Sequence, residues 1–347
     1  MKSKNWVYLK WVISALFLIF FAYYIRNTSF AEMSAALSEH YISVIGLIFI
    51  SLSSYLLATF AWRILDYTKE LQNISFFNLF MIRQSGESLS SINPTGVIGG
   101  DMYKLYHLKK FGVDTIKILP SIFVFRIMSI ISFILYLLTF STALLMTVIN
   151  HKFWSYSLFI LLLAICFYTF LFLANKKLLL HAFFKKFSFI SEERSLKIKD
   201  FNEAIVNQFN NHLLISIAGL MLLYAHWVVG GMEVYYLMHF VFGYDFSLVN
   251  GFTADFGIML SKTMGMFVPG QLGIEEFGNK YMLAILGVTS GTLWLTFSVL
   301  RRSRQLFWLL CTFLYVTFAN ATVKKAAKKI FNASSLLWLI PYFNSSR

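Results

Sequence analysis

The sequence predicts an all-α polytopic membrane protein of about six transmembrane helices plus two re-entrant helical hairpins, arranged as an inverted repeat. Three observations predict it. Of 347 residues, 58% are hydrophobic and only 13% charged, against ~25% charged in a typical soluble domain. Apolar runs long enough to cross a ~30 Å hydrocarbon layer recur along the chain. Two further apolar stretches carry Pro, Gly and acidic residues at their middles, which plain spans do not tolerate.

A soluble globule of this size must leave part of its surface in water and could not hide so much apolar area. Spans are expected at Trp6–Tyr24, Tyr41–Trp62, Pro120–Ile149, Phe153–Ala174, His212–Phe242 and Leu293–Thr322. The first reads as a retained helix, because its apolar run is long and no small-residue cleavage site follows. The stretches Ile74–Phe111 and Asn250–Gly287 read as hairpins that enter and leave on one side. Irregular backbone at membrane depth needs burial in protein or a wet cavity.

Positive charge orients these elements. Lys2, Lys4 and Lys10 precede the first span and place the N-terminus in the cytoplasm. Arg63, Lys69, Arg83, Lys104, Lys109, Lys110 and Lys117 are read as flanks of the first hairpin and place its ends inside. Gly243–Ser247 holds no Lys or Arg and is placed outside. A second hairpin entered from outside lets the last span return inward, so that Lys324, Lys325, Lys328 and Lys329 are cytoplasmic. The organisation is one membrane domain over residues 1–330, with repeat units at about 41–149 and 212–322. Residues 331–347 form a short cytoplasmic or interfacial tail.

The net charge of +14 sits mostly in short segments between apolar runs. It reads as topology and attraction to anionic lipid headgroups. No basic-aromatic domain stands apart from the spans, so nucleic acid is not an expected partner. Cys166 and Cys311 lie within apolar runs and form neither a metal spacing nor a disulfide framework. Oligomeric state is left open, a homo-oligomer included.

The two hairpins resemble each other. The first reads Pro94-Thr-Gly-Val-Ile-Gly-Gly-Asp101 and the second Pro269-Gly-Gln-Leu-Gly-Ile-Glu-Glu276. A shift of 175 residues, the distance from Pro94 to Pro269, also places Asp101 on Glu276, Gly112 on Gly287, Val113 on Val288 and Arg126 on Arg301. The charge pattern gives the two units opposite directions. Such inverted repeats bind their substrates near the midplane, where broken helices of both halves meet.

Glu87, Asp101, Arg126, Lys262, Glu275, Glu276, Arg301, Arg302 and Arg304 fall in or beside the two units. A charge at mid-bilayer costs ~2.5–3.5 kcal/mol, so each needs a partner or a wet cavity. Glu87 and Lys262 each lie seven residues before the hairpin proline and are expected to pair across the pseudo-twofold axis. Arg126 and Arg301 suit bidentate phosphate binding. Gly96, Gly99 and Gly100, with Gly270 and Gly273, supply backbone freedom at the breaks, and helix starts after Gly100 and Gly273 would offer free N–H groups to an anion. Structural ion pairing is the competing role for each of these residues.

No Ser-His-Asp set, nucleotide loop or metal motif is visible. The residues therefore point to no enzyme, no cofactor and no metal. An intramembrane lipid-modifying enzyme built on Asp101, Glu275 and Glu276 is the alternative, and a non-transporting scaffold for envelope lipid synthesis a third.

Gly86-Glu87-Ser88-Leu89 through Pro94 to Gly99-Gly100-Asp101, and Val268-Pro269-Gly270-Gln271-Leu272-Gly273-Ile274-Glu275-Glu276, resemble the paired signatures of the lysylphosphatidylglycerol synthase transmembrane (flippase-like) family. With Leu300-Arg301-Arg302-Ser303-Arg304, the pattern is most similar to its hopanoid-biosynthesis-associated branch. The resemblance extends from about Leu9 to Ala321. It implies a bacterial inner-membrane protein concerned with moving a lipid between leaflets. The aminoacyl-transferase domain of longer relatives is not expected, since only a short tail follows Thr322.

Overall fold

The computed structural model describes residues 34–35, 38–92, 96–149, 211–264, 271 and 273–318. The expected spans at Trp6–Tyr24 and Phe153–Ala174, the loop between them and the second unit, and the C-terminal tail lie outside the described residues. So do Pro94, Pro269 and Gly270.

Among the described residues the chain is all helical, with eight α-helices and no strand. They are α1 (Tyr41–Leu65), α2 (Phe76–Ile92), α3 (Gly96–Lys110), α4 (Thr115–Ile149), α5 (Leu213–Tyr235), α6 (Leu248–Met264), α7 (Ile274–Ile285) and α8 (Gly291–Phe318). A 3-10 turn, Glu70–Asn73, joins α1 to α2, and a π turn, Tyr236–Val241, extends α5. Among the described residues three helical stretches are long and apolar enough to cross a membrane: Tyr41–Leu65, Ile118–Ser141 within α4, and Leu213–Val241. Helix α8, with 28 residues, has the length, but Arg301, Arg302 and Arg304 interrupt its apolar run.

The four expected spans that fall on described residues are each a long helix, and each expected hairpin is a pair of shorter ones, α2–α3 and α6–α7. Helix order is long, short, short, long in both units. The start of α2 plus 175 falls three residues inside α6, and the start of α4 plus 175 falls one residue before α8.

The two units also share a turn. Helix α3 ends with Gly112 N–H on the Lys109 carbonyl (3.1 Å) and Val113 N–H on the Leu108 carbonyl (3.4 Å). Helix α7 ends with Gly287 N–H on Ala284 (3.1 Å) and Val288 N–H on Leu283 (2.8 Å). Each donor and acceptor is 175 residues from its counterpart. This is the Schellman arrangement, in which a left-handed residue lets the chain satisfy the last helical carbonyls. The left-handed residues are Gly112 (φ 79°) and Gly287 (φ 88°), and the following valines turn back into the core.

Packing follows the same division. Trp62, Leu65, Leu79, Leu108, Ile122, Phe125 and Met128 build one buried apolar cluster from α1 to α4. Val234, Ala254, Ile258, Leu283, Phe297 and Leu300 build a second from α5 to α8. The exchange between them is reciprocal: Leu47 of α1 is buried in the second cluster and Leu223 of α5 in the first. Helices α1 and α5 form the most extensive pair in the bundle. At their crossing the Ser54 hydroxyl donates to the His226 carbonyl (2.9 Å), and His226 Nδ1 lies 2.9 Å from the Ser54 carbonyl. Phe80 and Met81 of α2 meet Trp308 of α8 where the two units touch.

The outer faces are oily. On α8, Leu306, Leu310 and Phe313 are exposed at i, i+4 and i+7, whereas Leu300, Arg301, Arg304 and Trp308 are buried. One stripe faces lipid and the other the interior. The same helix therefore carries three arginines and a lipid-facing surface without conflict.

Nothing lies within 4 Å of a β-carbon built on Gly112 or Gly287, so only backbone strain opposes a side chain there. Gly112→Ala and Gly287→Ala are each expected to destabilise the protein by ~1–2 kcal/mol, the cost of holding an L-residue left-handed. Thermal unfolding in detergent, with the Asn variants as milder controls, measures this; unchanged melting at both positions would refute the shared turn.

Candidate functional site: two neutral ion clusters inside the bundle

The first cluster is built from α2, α3 and α4. Asp101 and Lys104 lie three residues apart on α3, and the Lys104 ammonium reaches Asp101 Oδ1 at 3.0 Å and Glu87 Oε1 of α2 at 2.5 Å. Arg126 of α4 reaches the same two carboxylates, Asp101 Oδ1 at 2.7 Å and Glu87 Oε1 at 3.4 Å. Two cations and two anions alternate, so the group is neutral. The hairpin arms come close enough for this because Gly86 and Gly100 face each other. A β-carbon on Gly100 would stand 2.3 Å from the Gly86 carbonyl oxygen and 2.0 Å from Ser90 Oγ.

The second cluster draws on α5, α6, α7 and α8. Arg301 is fully buried between Glu233 (3.8 Å), Asp255 (3.5 Å) and Glu275 (3.8 Å). Arg304 pairs with Glu233. Lys262 stands 3.5 Å from Glu275, and Arg302 3.5 Å from Glu275 and 2.8 Å from Glu276. The Tyr136 hydroxyl of α4 donates to Asp255 Oδ2 (2.7 Å), and Gln305 Nε2 donates to Glu275 Oε2 (2.9 Å). Four acids face four bases, and this group too is neutral. Such closure is what burial demands, since an isolated charge in a low-dielectric interior costs far more than a paired one.

The structure gathers Glu87, Asp101 and Arg126 in one group and Lys262, Glu275, Glu276, Arg301 and Arg302 in the other. It corrects four expectations. Glu87 and Lys262 do not pair with each other; each finds its partners inside its own unit. Lys104 and Arg83 are not loop charges but buried side chains, Lys104 inside the first cluster and Arg83 beside it, with its guanidinium over the Tyr55 and Phe125 rings at 5.9 and 5.8 Å. Helix α3 begins at Gly96, so Gly99 and Gly100 lie within it and open no helix start. Helix α7 does begin after Gly273, but the Gly273 N–H already donates to Glu276 Oε2 (2.6 Å). Its amide end is capped by its own carboxylate.

Sequence reasoning missed Glu233 and Asp255. At a shift of 175 they fall opposite Ala58 and Phe80, so comparing the units could not reveal them. The available signal was their isolation as acids within apolar helices. Lys104 was hidden differently: its neighbours Lys109 and Lys110 made it look like part of a loop cluster. Its counterpart at 175 residues is Asn279, whose side chain accepts from Arg301 (3.5 Å). Among the described residues no group of His, Cys, Asp or Glu is arranged to hold a metal ion.

Truncating Arg301 would leave three carboxylates facing one another without their shared counter-ion. Arg301→Met is expected to cost ~3–5 kcal/mol, the range for breaking a buried ion pair. Arg302→Gln, at a partly exposed position, should cost ~1 kcal/mol or less. Unfolding midpoints of the two variants in one detergent test the ranking, and equal midpoints would contradict it.

A family model described as the lysylphosphatidylglycerol synthase TM region matches residues 7–312. Comparison with curated proteins and with solved structures returned no match.

Proposed function

The chain belongs to the lysylphosphatidylglycerol synthase TM-region family, and on that premise of a lipid-related membrane protein we propose that it moves a phospholipid between leaflets of a bacterial inner membrane. The observation that carries this reading is the pair of neutral, partly exposed ion clusters, each at a broken helix pair within an otherwise oily bundle. Groups that hand a headgroup through the membrane need exposure, because an unescorted charge meets a barrier of several kcal/mol in hydrocarbon.

In this reading the α2–α3 and α6–α7 pairs are re-entrant and enter from opposite faces, within an inverted repeat of about six spans. Both termini are cytoplasmic. The headgroup passes the exposed edges of the clusters, at Glu87, Asp101 and Arg126 on one side and at Lys262, Glu276 and Arg302 on the other. Arg301, enclosed by carboxylates, holds the helices rather than the lipid. The activity is carriage, so the lipid leaves with its covalent structure unchanged, which mass spectrometry of lipid recovered after incubation with the protein would check.

Two measurements test the proposal. In liposomes carrying a fluorescent phospholipid, the purified protein should equilibrate the leaflets. Arg126→Ala and Arg302→Gln should each slow this by about tenfold or more, as loss of ~1.4 kcal/mol at the barrier would. Translocation equal to wild type in both variants would remove the clusters from the path. In a background without native cysteines, Asp114→Cys should be labelled from the cytoplasmic face and Thr289→Cys from the other. Labelling of both from one face would end the inverted arrangement.

A further inference from the structure

We propose that Lys262 and Arg302 form a phosphate-ester binding site at the broken end of the α6–α7 pair, and that the first cluster is its electrostatic opposite rather than a second copy. The proposal deepens the lipid-transport reading and rests on it only for the source of the phosphate.

Both clusters are neutral as wholes, so a visiting group responds to the members that reach the surface. In the second cluster those are the cations. Lys262 and Arg302 side chains keep 19% and 21% of their exposure, whereas Glu275 and Glu276 keep 2% and 7%. In the first cluster the order is reversed. Glu87 and Asp101 keep 31% and 24%, Arg126 keeps 22%, and Lys104 keeps 1%. The reversal is written into the chain, because Glu87 and Lys262 hold equivalent places in the 175-residue register.

The surroundings of Arg302 shape the edge for an oxyanion. Nε donates to Glu276 Oε1 (2.8 Å), Nη1 to Gln305 Oε1 (2.8 Å) and Nη2 to the Gln271 carbonyl (3.2 Å). The Glu276 carboxylate holds Nε, Nη1 also stands 3.5 Å from Glu275 Oε2, and the Gln305 and Gln271 oxygens are neutral acceptors. A phosphate would exchange the Gln305 and Gln271 acceptors for charge-assisted bonds, roughly twice as strong. Gln271 is one of two described non-glycine residues with positive φ (50°), and its side chain donates to the Lys262 carbonyl (3.3 Å). Strained backbone of this kind persists where the surroundings hold it in place, and here it sits between the two cations. The Lys262 ammonium, at 3.5 Å from its carboxylate and with three donors, can turn to a second oxygen. At the first cluster the same phosphate would meet Arg126 flanked by two carboxylates that are at least as exposed as it is.

Binding to the protein in nanodiscs of neutral lipid tests this with three soluble probes: dihexanoyl phosphatidic acid, dihexanoylglycerol and inorganic phosphate. Dihexanoyl phosphatidic acid should bind and dihexanoylglycerol should not. Lys262→Gln and Arg302→Gln should each weaken that binding by about tenfold, and Arg126→Gln by no more than about twofold. Arg302→Lys, which keeps the charge and loses the fork, should fall between, with a melting temperature that certifies its fold. Inorganic phosphate should bind more weakly than the lipid but lose affinity in the same variants. Inorganic phosphate binding as tightly as the lipid would overturn the lipid source. Loss of binding in Arg126→Gln but not in the other two would overturn the site, and so would a wild type that binds no phosphate-bearing probe. Neither of these last outcomes touches the leaflet-equilibration result, which stands or falls on its own assay.

Discussion

Arg301 lies among Glu233, Asp255 and Glu275, and the second half of the bundle is organised around that one contact. The guanidinium comes from α8 and the carboxylates from α5, α6 and α7. No single helix could carry its own charge into the interior. Each becomes tolerable only when the four are together. Tyr136 extends the same network to α4 through Asp255 and so joins the two units by a polar contact as well as an oily one. The first cluster works at smaller scale, with Lys104 and Arg126 drawing α2, α3 and α4 onto Glu87 and Asp101.

Much of this was legible in the sequence because two constraints are local. A helix that crosses a bilayer has a minimum length and composition, and a chain that breaks at membrane depth shows it with Pro and Gly. Those constraints located α1, α4, α5 and α8, and the pairs of shorter helices α2–α3 and α6–α7. The register of 175 also survives inspection at the level of individual hydrogen bonds, in the turns at Gly112 and Gly287. What was not legible is partner choice. Whether Glu87 meets Lys262 or Lys104 depends on which faces of α2 and α3 touch, and that follows from the close approach of Gly86 and Gly100, not from spacing along the chain. Counting charges for topology failed at Lys104 and Arg83 for a related reason. Burial, not sequence neighbourhood, decides whether a cation belongs to a loop.

Most members of the two ion clusters were legible in the sequence, but not Glu233, Asp255 or Lys104, nor which members are exposed. Arg126 and Arg301 occupy matching positions, yet one is partly exposed and the other enclosed. The exposed guanidinium of the second unit is the next residue, Arg302. The exposed guanidinium of the second unit is therefore displaced by one position from the sequence register. Helical geometry explains the displacement, since adjacent residues point about 100° apart and one of them must face the interior.

The exchange of Leu47 and Leu223 between the two apolar clusters bears on biogenesis. The first unit emerges from the ribosome before α5 exists, so its core is born with a gap that only a later segment can plug. Neither half closes its apolar core alone, and each is completed by a leucine of the other.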